Sequence, residues 1–150
     1  MEYLYKARLQ YRTNARYEEW KIWFERMIPF LNDNVILVGH SLGGIFLAKY
    51  LSGNLLPKKI KIVLLVAVPF DDTNNMESLS DFTLPASLEK FAEQVKKIYL
   101  LHSKDDPVVP FEQVEKYKKV LPNAEIIIFE DKQHFNQESF SEIVGLIKNI

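Results

Sequence analysis

Asn34-Val35-Ile36-Leu37-Val38-Gly39-His40-Ser41-Leu42-Gly43-Gly44-Ile45-Phe46-Leu47-Ala48 is the stretch whose reading decides the fold. Asn34 to Val38 is a short apolar run of strand length, flanked by Asn32-Asp33 on one side and Gly39 on the other. Leu42 to Leu51 is apolar nearly all round and stops near Gly53, as a buried helix would. Between them stands G-x-S-x-G, in the strand-to-helix setting that a nucleophile elbow requires. A sharp turn there lifts the Ser41 oxygen clear of the sheet, and flanking glycines let the backbone crowd together without a Cβ clash. The same turn aims the Leu42 amide, at a helix N-terminus, toward an oxyanion forming on a substrate. With Gly and Ser each roughly 7% of residues, three fixed positions match by chance in only about 5% of chains this long. Requiring the strand before and the helix after lowers that several-fold.

Working outward, apolar runs of strand length alternate with helical patterns, the signature of a parallel sheet covered on both faces. Ile60 to Val68, Lys97 to His102 and Ala124 to Phe129 are the further strands. The continuous apolarity of Ile60 to Val68 suits burial on both faces. Trp20, Trp23, Phe24, Met27, Ile28 and Leu31 recur at helical spacing, with Asn14 placed to cap them. Leu88 to Val95 predicts a short helix, and Pro110 opens another that buries Phe111, Val114, Tyr117 and Leu121. Phe140, Ile143, Val144 and Ile147 mark the last. In the first dozen residues, the alternation of Tyr3, Tyr5, Ala7, Leu9 and Tyr11 favours a half-buried strand over a helix. The expected architecture is one domain over residues 1–150, a three-layer α/β/α sandwich with a mostly parallel sheet.

Composition narrows the function. Of the 150 residues, 47% are hydrophobic and 26% charged, and the formal charge is −1. Mixed lysines and acids give no surface for nucleic acid or anionic lipid. No run approaches the roughly 20 apolar residues that span a bilayer, and the start lacks an apolar signal core. The chain has no cysteine, which removes disulfides, a thiolate nucleophile and a thiolate zinc site. A cytoplasmic protein without nucleic-acid or membrane partners is the expectation.

A serine hydroxyl needs a base to remove its proton, and the chain has three histidines, His40, His102 and His134. His40 lies inside the elbow, where its side chain should diverge from that of Ser41. His102 ends a strand, the place of a structural histidine. His134 follows the polar loop Glu130 to Gln133, at the carboxyl edge of the sheet where open α/β sheets bind ligands. It is the candidate base. The three stand in separate segments without i, i+3 or i+4 pairing, so no metal site is expected. The orienting carboxylate should come from His102-Ser103-Lys104-Asp105-Asp106-Pro107-Val108-Val109-Pro110, which holds two acids. Asp106, restrained by Pro107, is favoured over Asp105. Asp71 to Leu84 is a polar loop interrupted by Met76, Leu79, Phe82 and Leu84, a small lid or pocket wall at the same edge or else a plain surface connection. His40, Phe70 and Phe135 complete the set as substrate-contacting residues.

G-H-S-L-G-G, a strand ending in P-F-D-D, S-K-D-D-P-V-V-P and Q-H-F-N, in that order, resemble the α/β-hydrolase superfamily. More narrowly they look like its small serine hydrolases of the retinoblastoma-binding protein 9 and YdeN type, over about Asn14 to Ile150. The resemblance implies a reduced α/β-hydrolase fold and Ser41, Asp106 and His134 as a triad. It also implies esterase- or amidase-like activity without a cofactor. Two positions depart from the pattern. Gln133 stands where a glycine often precedes the histidine. At the start, no strand with an H-G-type loop precedes Asn14 to give the second oxyanion amide, so either Met1–Arg12 substitutes for it or the chain is a shortened member. Losing one such donor costs roughly 2.7–4 kcal/mol of transition-state stabilisation, and a missing neighbour strand would expose an edge able to pair with another chain. The expected partner is a small acyl substrate, and the expected state a monomer or homodimer. The rival reading is a weak or inactive binding or scaffolding module on the same fold.

Overall fold

In a computed structural model, which describes residues 14–76 and 78–149, four strands form one parallel sheet in the order β1-β2-β3-β4. They are β1 (Val35–His40), β2 (Ile60–Val66), β3 (Val95–Ser103) and β4 (Glu125–Phe129). Helices α1 (Tyr17–Met27), α2 (Leu42–Gly53), α3 (Glu89–Gln94), α4 (Glu112–Val120) and α5 (Ser141–Lys148) fill the remaining layers. The strand expected in the first dozen residues lies outside the described residues.

β2 shows why its run is unbroken. Val63 and Leu65 belong to a core shared with α1 to α4, while Ile62, Leu64 and Val66 belong to a core under α5. Successive side chains point to opposite faces, so the stretch from Ile62 to Val66, covered on both, has no polar position, while Lys61 near the strand's start stays partly exposed. The expected three-layer sandwich is therefore present. The strand stops at Val66 instead of Val68 because Ala67 turns into the left-handed region, at φ 49°.

Helix α2 is apolar all round because it lies between the sheet and α1. Phe46 meets Trp20 at 5.8 Å and Phe24 at 5.5 Å between ring centroids, both edge-on. Such aromatic pairs add about 0.5–1.5 kcal/mol beyond area burial. Two readings of α1 are corrected. Trp23 belongs to the expected apolar stripe by spacing, yet it is 57% exposed, because Tyr17, Trp20 and Phe24 form the inward face. Nor does Asn14 cap the helix. Arg16 is the N-cap residue and gives no side-chain bond, while Asp81 Oδ2 accepts the Tyr17 amide at 3.1 Å. A carboxylate 64 positions away does the capping, a contact that no local spacing encodes. Among the described residues, no helix is long and apolar enough to cross a membrane.

Candidate active site

Ser41 sits between β1 and α2 at φ 52° and ψ −121°, a conformation unfavourable for a residue with a side chain. The turn is held at both ends. The Ser41 amide donates to Val66 O at 2.9 Å, and its carbonyl accepts from Gly44 N at 2.9 Å and Ile45 N at 3.3 Å. A Cβ on Gly39 would lie 2.5 Å from Gly44 Cα, and one on Gly44 would lie 2.0 Å from Val68 Cγ2, so these two glycines permit the crossing. Gly43, the second glycine of G-x-S-x-G, has open space around it. The crowding expected at that flank falls on Gly44 instead. Leu42 begins α2, where first-turn amides have no partner within the helix and favour negative charge.

His134 lies between β4 and α5 and is buried. Its Nδ1 is 2.9 Å from Asp106 Oδ2 and 3.1 Å from Oδ1. A ring nitrogen facing a carboxylate carries the proton, which leaves Nε2 as the acceptor of the neutral imidazole. The Asp106 side chain is wholly buried. Burial alone would raise its pKa, but the hydrogen bond with His134 and those from the Val109 and Val108 amides outweigh it, and the carboxyl is held below its ordinary value.

Asp105 takes a different place. It accepts the Ser103 hydroxyl at 2.6 Å and the Gln133 amide at 2.8 Å, tying the loop after β3 to the turn before His134. The adjacent carboxylates, equivalent by spacing, thus have separate partners. His102 is buried and donates from Nε2 to Val109 O at 3.0 Å, bracing the loop that carries Asp106. Its burial pushes the imidazole pKa down.

His40 donates from Nε2 to the carbonyl of His134 at 2.7 Å, and the two rings are 4.8 Å apart. The residue before Ser41 is therefore packed on the histidine from the far end of the chain. Gln133 and Phe135, on either side of His134, both have positive φ, at 49° and 54°. The Gln133 position, where the resemblance implies a glycine, is thus one that favours glycine. Phe135 is buried against Phe129 and Phe140, and the Phe70 ring lies edge-on to Tyr117 at 5.0 Å.

A cleft of about 190 Å³ opens beside Ser41, walled by Leu42, Pro69, Leu79, Phe82, Val108 and Asn75 among others. That is below the roughly 300–1,000 Å³ of pockets for drug-sized ligands. Leu79 and Phe82, both in the polar loop after β2, are buried, while Met76 is 75% exposed. Val108 has no signal in the sequence beyond following Asp106. Among the described residues, no cluster of histidines and acids is placed to hold a metal ion.

Comparison with known proteins bears on the fold and the family. The chain matches the family described as Serine hydrolase over residues 4–143. It is 26% identical over 133 residues to Serine hydrolase RBBP9 of Rattus norvegicus, covering 86% of this chain and 69% of the relative. The crystal structure of the ydeN gene product from B. subtilis is similar at TM-score 0.80 and 23% identity, over 90% of this chain and 75% of that one. A monoacylglycerol lipase of Paleococcus ferrophilus is similar at TM-score 0.63 and 15% identity, over 89% of this chain and 74% of that one. The architecture is accordingly a reduced α/β-hydrolase fold. Fold, elbow and family match converge, and the chain belongs to the serine hydrolase family.

Proposed function

We propose that the protein hydrolyses small carboxylic esters through an acyl-enzyme on Ser41. The observation that carries this reading is the Asp106 carboxylate on Nδ1 of His134, at the edge of the sheet where the strained Ser41 turn projects. Asp106 fixes the tautomer in which Nε2 can accept a proton. As the Ser41 oxygen attacks the ester carbonyl, His134 takes the hydroxyl proton, and Asp106 stabilises the resulting imidazolium without accepting it. The Leu42 amide receives the negative charge that develops on the carbonyl oxygen. His134 then returns its proton to the leaving alkoxide. Water, deprotonated by His134 in its turn, attacks the acyl carbon and releases the carboxylic acid and the Ser41 hydroxyl.

A fluorophosphonate probe tests this directly. The folded protein should be labelled at Ser41, and Ser41→Ala should abolish the label. Turnover of p-nitrophenyl acetate should be lost in the same variant. A folded protein that binds esters yet shows neither labelling nor turnover would point to a binding module on the same scaffold.

A further inference from the structure

Pro69 to Asp72, the P-F-D-D stretch, has no part in the chemistry above, yet α4 grips it. Gln113 is 1% exposed. Its Oε1 accepts the main-chain N–H of Phe70 at 2.6 Å and of Asp71 at 2.9 Å. Its Nε2 donates to Asp71 Oδ1 at 3.1 Å and to the Thr73 carbonyl at 2.9 Å. That uses the full donor and acceptor capacity of a glutamine on one segment. One turn further, Lys116 Nζ donates to both oxygens of Asp71 at 2.7 Å, and the Tyr117 hydroxyl donates to Pro69 O at 2.9 Å. Spacings of three and four put these side chains on one helix face. Burial acts to raise the Asp71 pKa, but the bonds from Lys116, Gln113 and Thr73 prevail and hold the carboxyl well below the usual range.

The grip extends to the cleft. The Asp71 carbonyl accepts from the side-chain amide of Asn75, and Asp72 Oδ1 accepts the Leu79 amide at 2.6 Å. Asn75 and Leu79 both line the cleft beside Ser41. The far end of the same segment is tied to α1 through Asp81 and the Tyr17 amide. One wall of the cleft is thereby anchored at both ends, and α4 sets where its near end lies.

We propose that Gln113 and Lys116 are positioning residues that set the acyl-chain length the cleft accepts, acting through Asp71 and Asp72 on Asn75 and Leu79. The proposal rests on the ester-hydrolase reading and names its substrate class, esters of short-chain acids. The cleft of about 190 Å³ is below the roughly 300–1,000 Å³ of pockets for drug-sized ligands, a size that suits the acyl group of a short-chain ester. Leu79, Phe82 and Val108 offer hydrocarbon walls to such a chain.

The test compares kcat and KM for p-nitrophenyl acetate, butyrate and octanoate in the wild type, Gln113→Leu, Lys116→Met and Lys116→Arg, with Lys118→Met as control. Fluorophosphonate labelling of Ser41 and thermal melting accompany each. The wild type should favour butyrate over octanoate by about tenfold or more in kcat/KM, the scale of hydrocarbon discrimination in a shaped pocket. Gln113→Leu and Lys116→Met should shrink that ratio about fivefold or more, mainly through KM for octanoate, with Ser41 labelling little changed. Lys116→Arg should restore the ratio, since Arg can still bridge to Asp71. A ratio unmoved in folded variants, or a loss equal for all three esters and the label, overturns the proposal while leaving the hydrolase reading intact. Should Gln113→Leu fail to fold, the partly exposed Lys116 pair decides the matter. A wild type with no turnover and no label removes both readings.

Discussion

His40 holds His134: its Nε2 donates to the main-chain carbonyl of residue 134 at 2.7 Å, with the rings 4.8 Å apart. The immediate neighbour of the candidate nucleophile thus fixes the position of the candidate base. His40→Phe retains a ring and removes the donor. Small displacements at a reacting centre cost up to about 10²-fold, so kcat for p-nitrophenyl acetate should fall about ten- to a hundredfold with KM less affected. Unchanged steady-state kinetics would show that this bond has no positioning role.

The two adjacent acids should separate cleanly. Asp106→Asn removes the carboxylate that sets the His134 tautomer, and the equivalent change in a known triad lowers kcat about 10⁴-fold. Asp105→Asn weakens the acceptor of the Ser103 hydroxyl and the Gln133 amide, so it should lower the urea midpoint and leave kcat nearly unchanged. Kinetics and urea melts on both variants check the division. Equal kinetic losses would contradict it.

At the elbow, the two glycines nearest Ser41 should differ. A methyl on Gly39 meets main-chain atoms of Gly43 and Gly44 at 2.5–2.7 Å, none of which can rotate away. Gly39→Ala should therefore destabilise by at least about 1–3 kcal/mol. Gly43→Ala meets nothing within 4 Å and should gain about 0.5–1 kcal/mol, the usual advantage of alanine in a helix. Thermal melting of the pair decides it.

Gln133 is exposed and held at φ 49°. Left-handed backbone costs a residue with a Cβ roughly 1–2 kcal/mol, and glycine gives back part of that in entropy. Gln133→Gly should leave the protein up to about 1 kcal/mol more stable, whereas Gln133→Val should weaken it. Denaturant midpoints that rank the other way would contradict the strain assigned to this turn.

His102 makes stability depend on pH. Burial holds its folded-state pKa below the ordinary histidine value of about 6.5. Between those two values the unfolded chain binds the proton and the folded protein does not, so stability falls as pH drops through that window. The slope from this group is at most about 1.4 kcal/mol per pH unit. His102→Gln keeps a donor for the Val109 carbonyl and has nothing to titrate. Its Tm should fall less between about pH 7 and about pH 5 than that of the wild type. Parallel curves would exclude His102 as the cause.

What the sequence by itself determined were features built from neighbours in the chain. The elbow was legible because a strand, a strained serine and a helix follow one another within a few residues. The two-faced burial of β2 was legible because side chains alternate along a strand, and the order of the three motifs placed Ser41, Asp106 and His134 on separate loops of one sheet edge. Tertiary structure decided the rest: that Asp81 caps α1 instead of Asn14, that Trp23 points outward, that Asp105 and Asp106 take different partners, and that Gln113 grips the cleft wall. Each of these is a contact between residues far apart in the chain, or a choice between chemically equal neighbours. Spacing carries the period of a helix or strand, but not which distant surface that element meets.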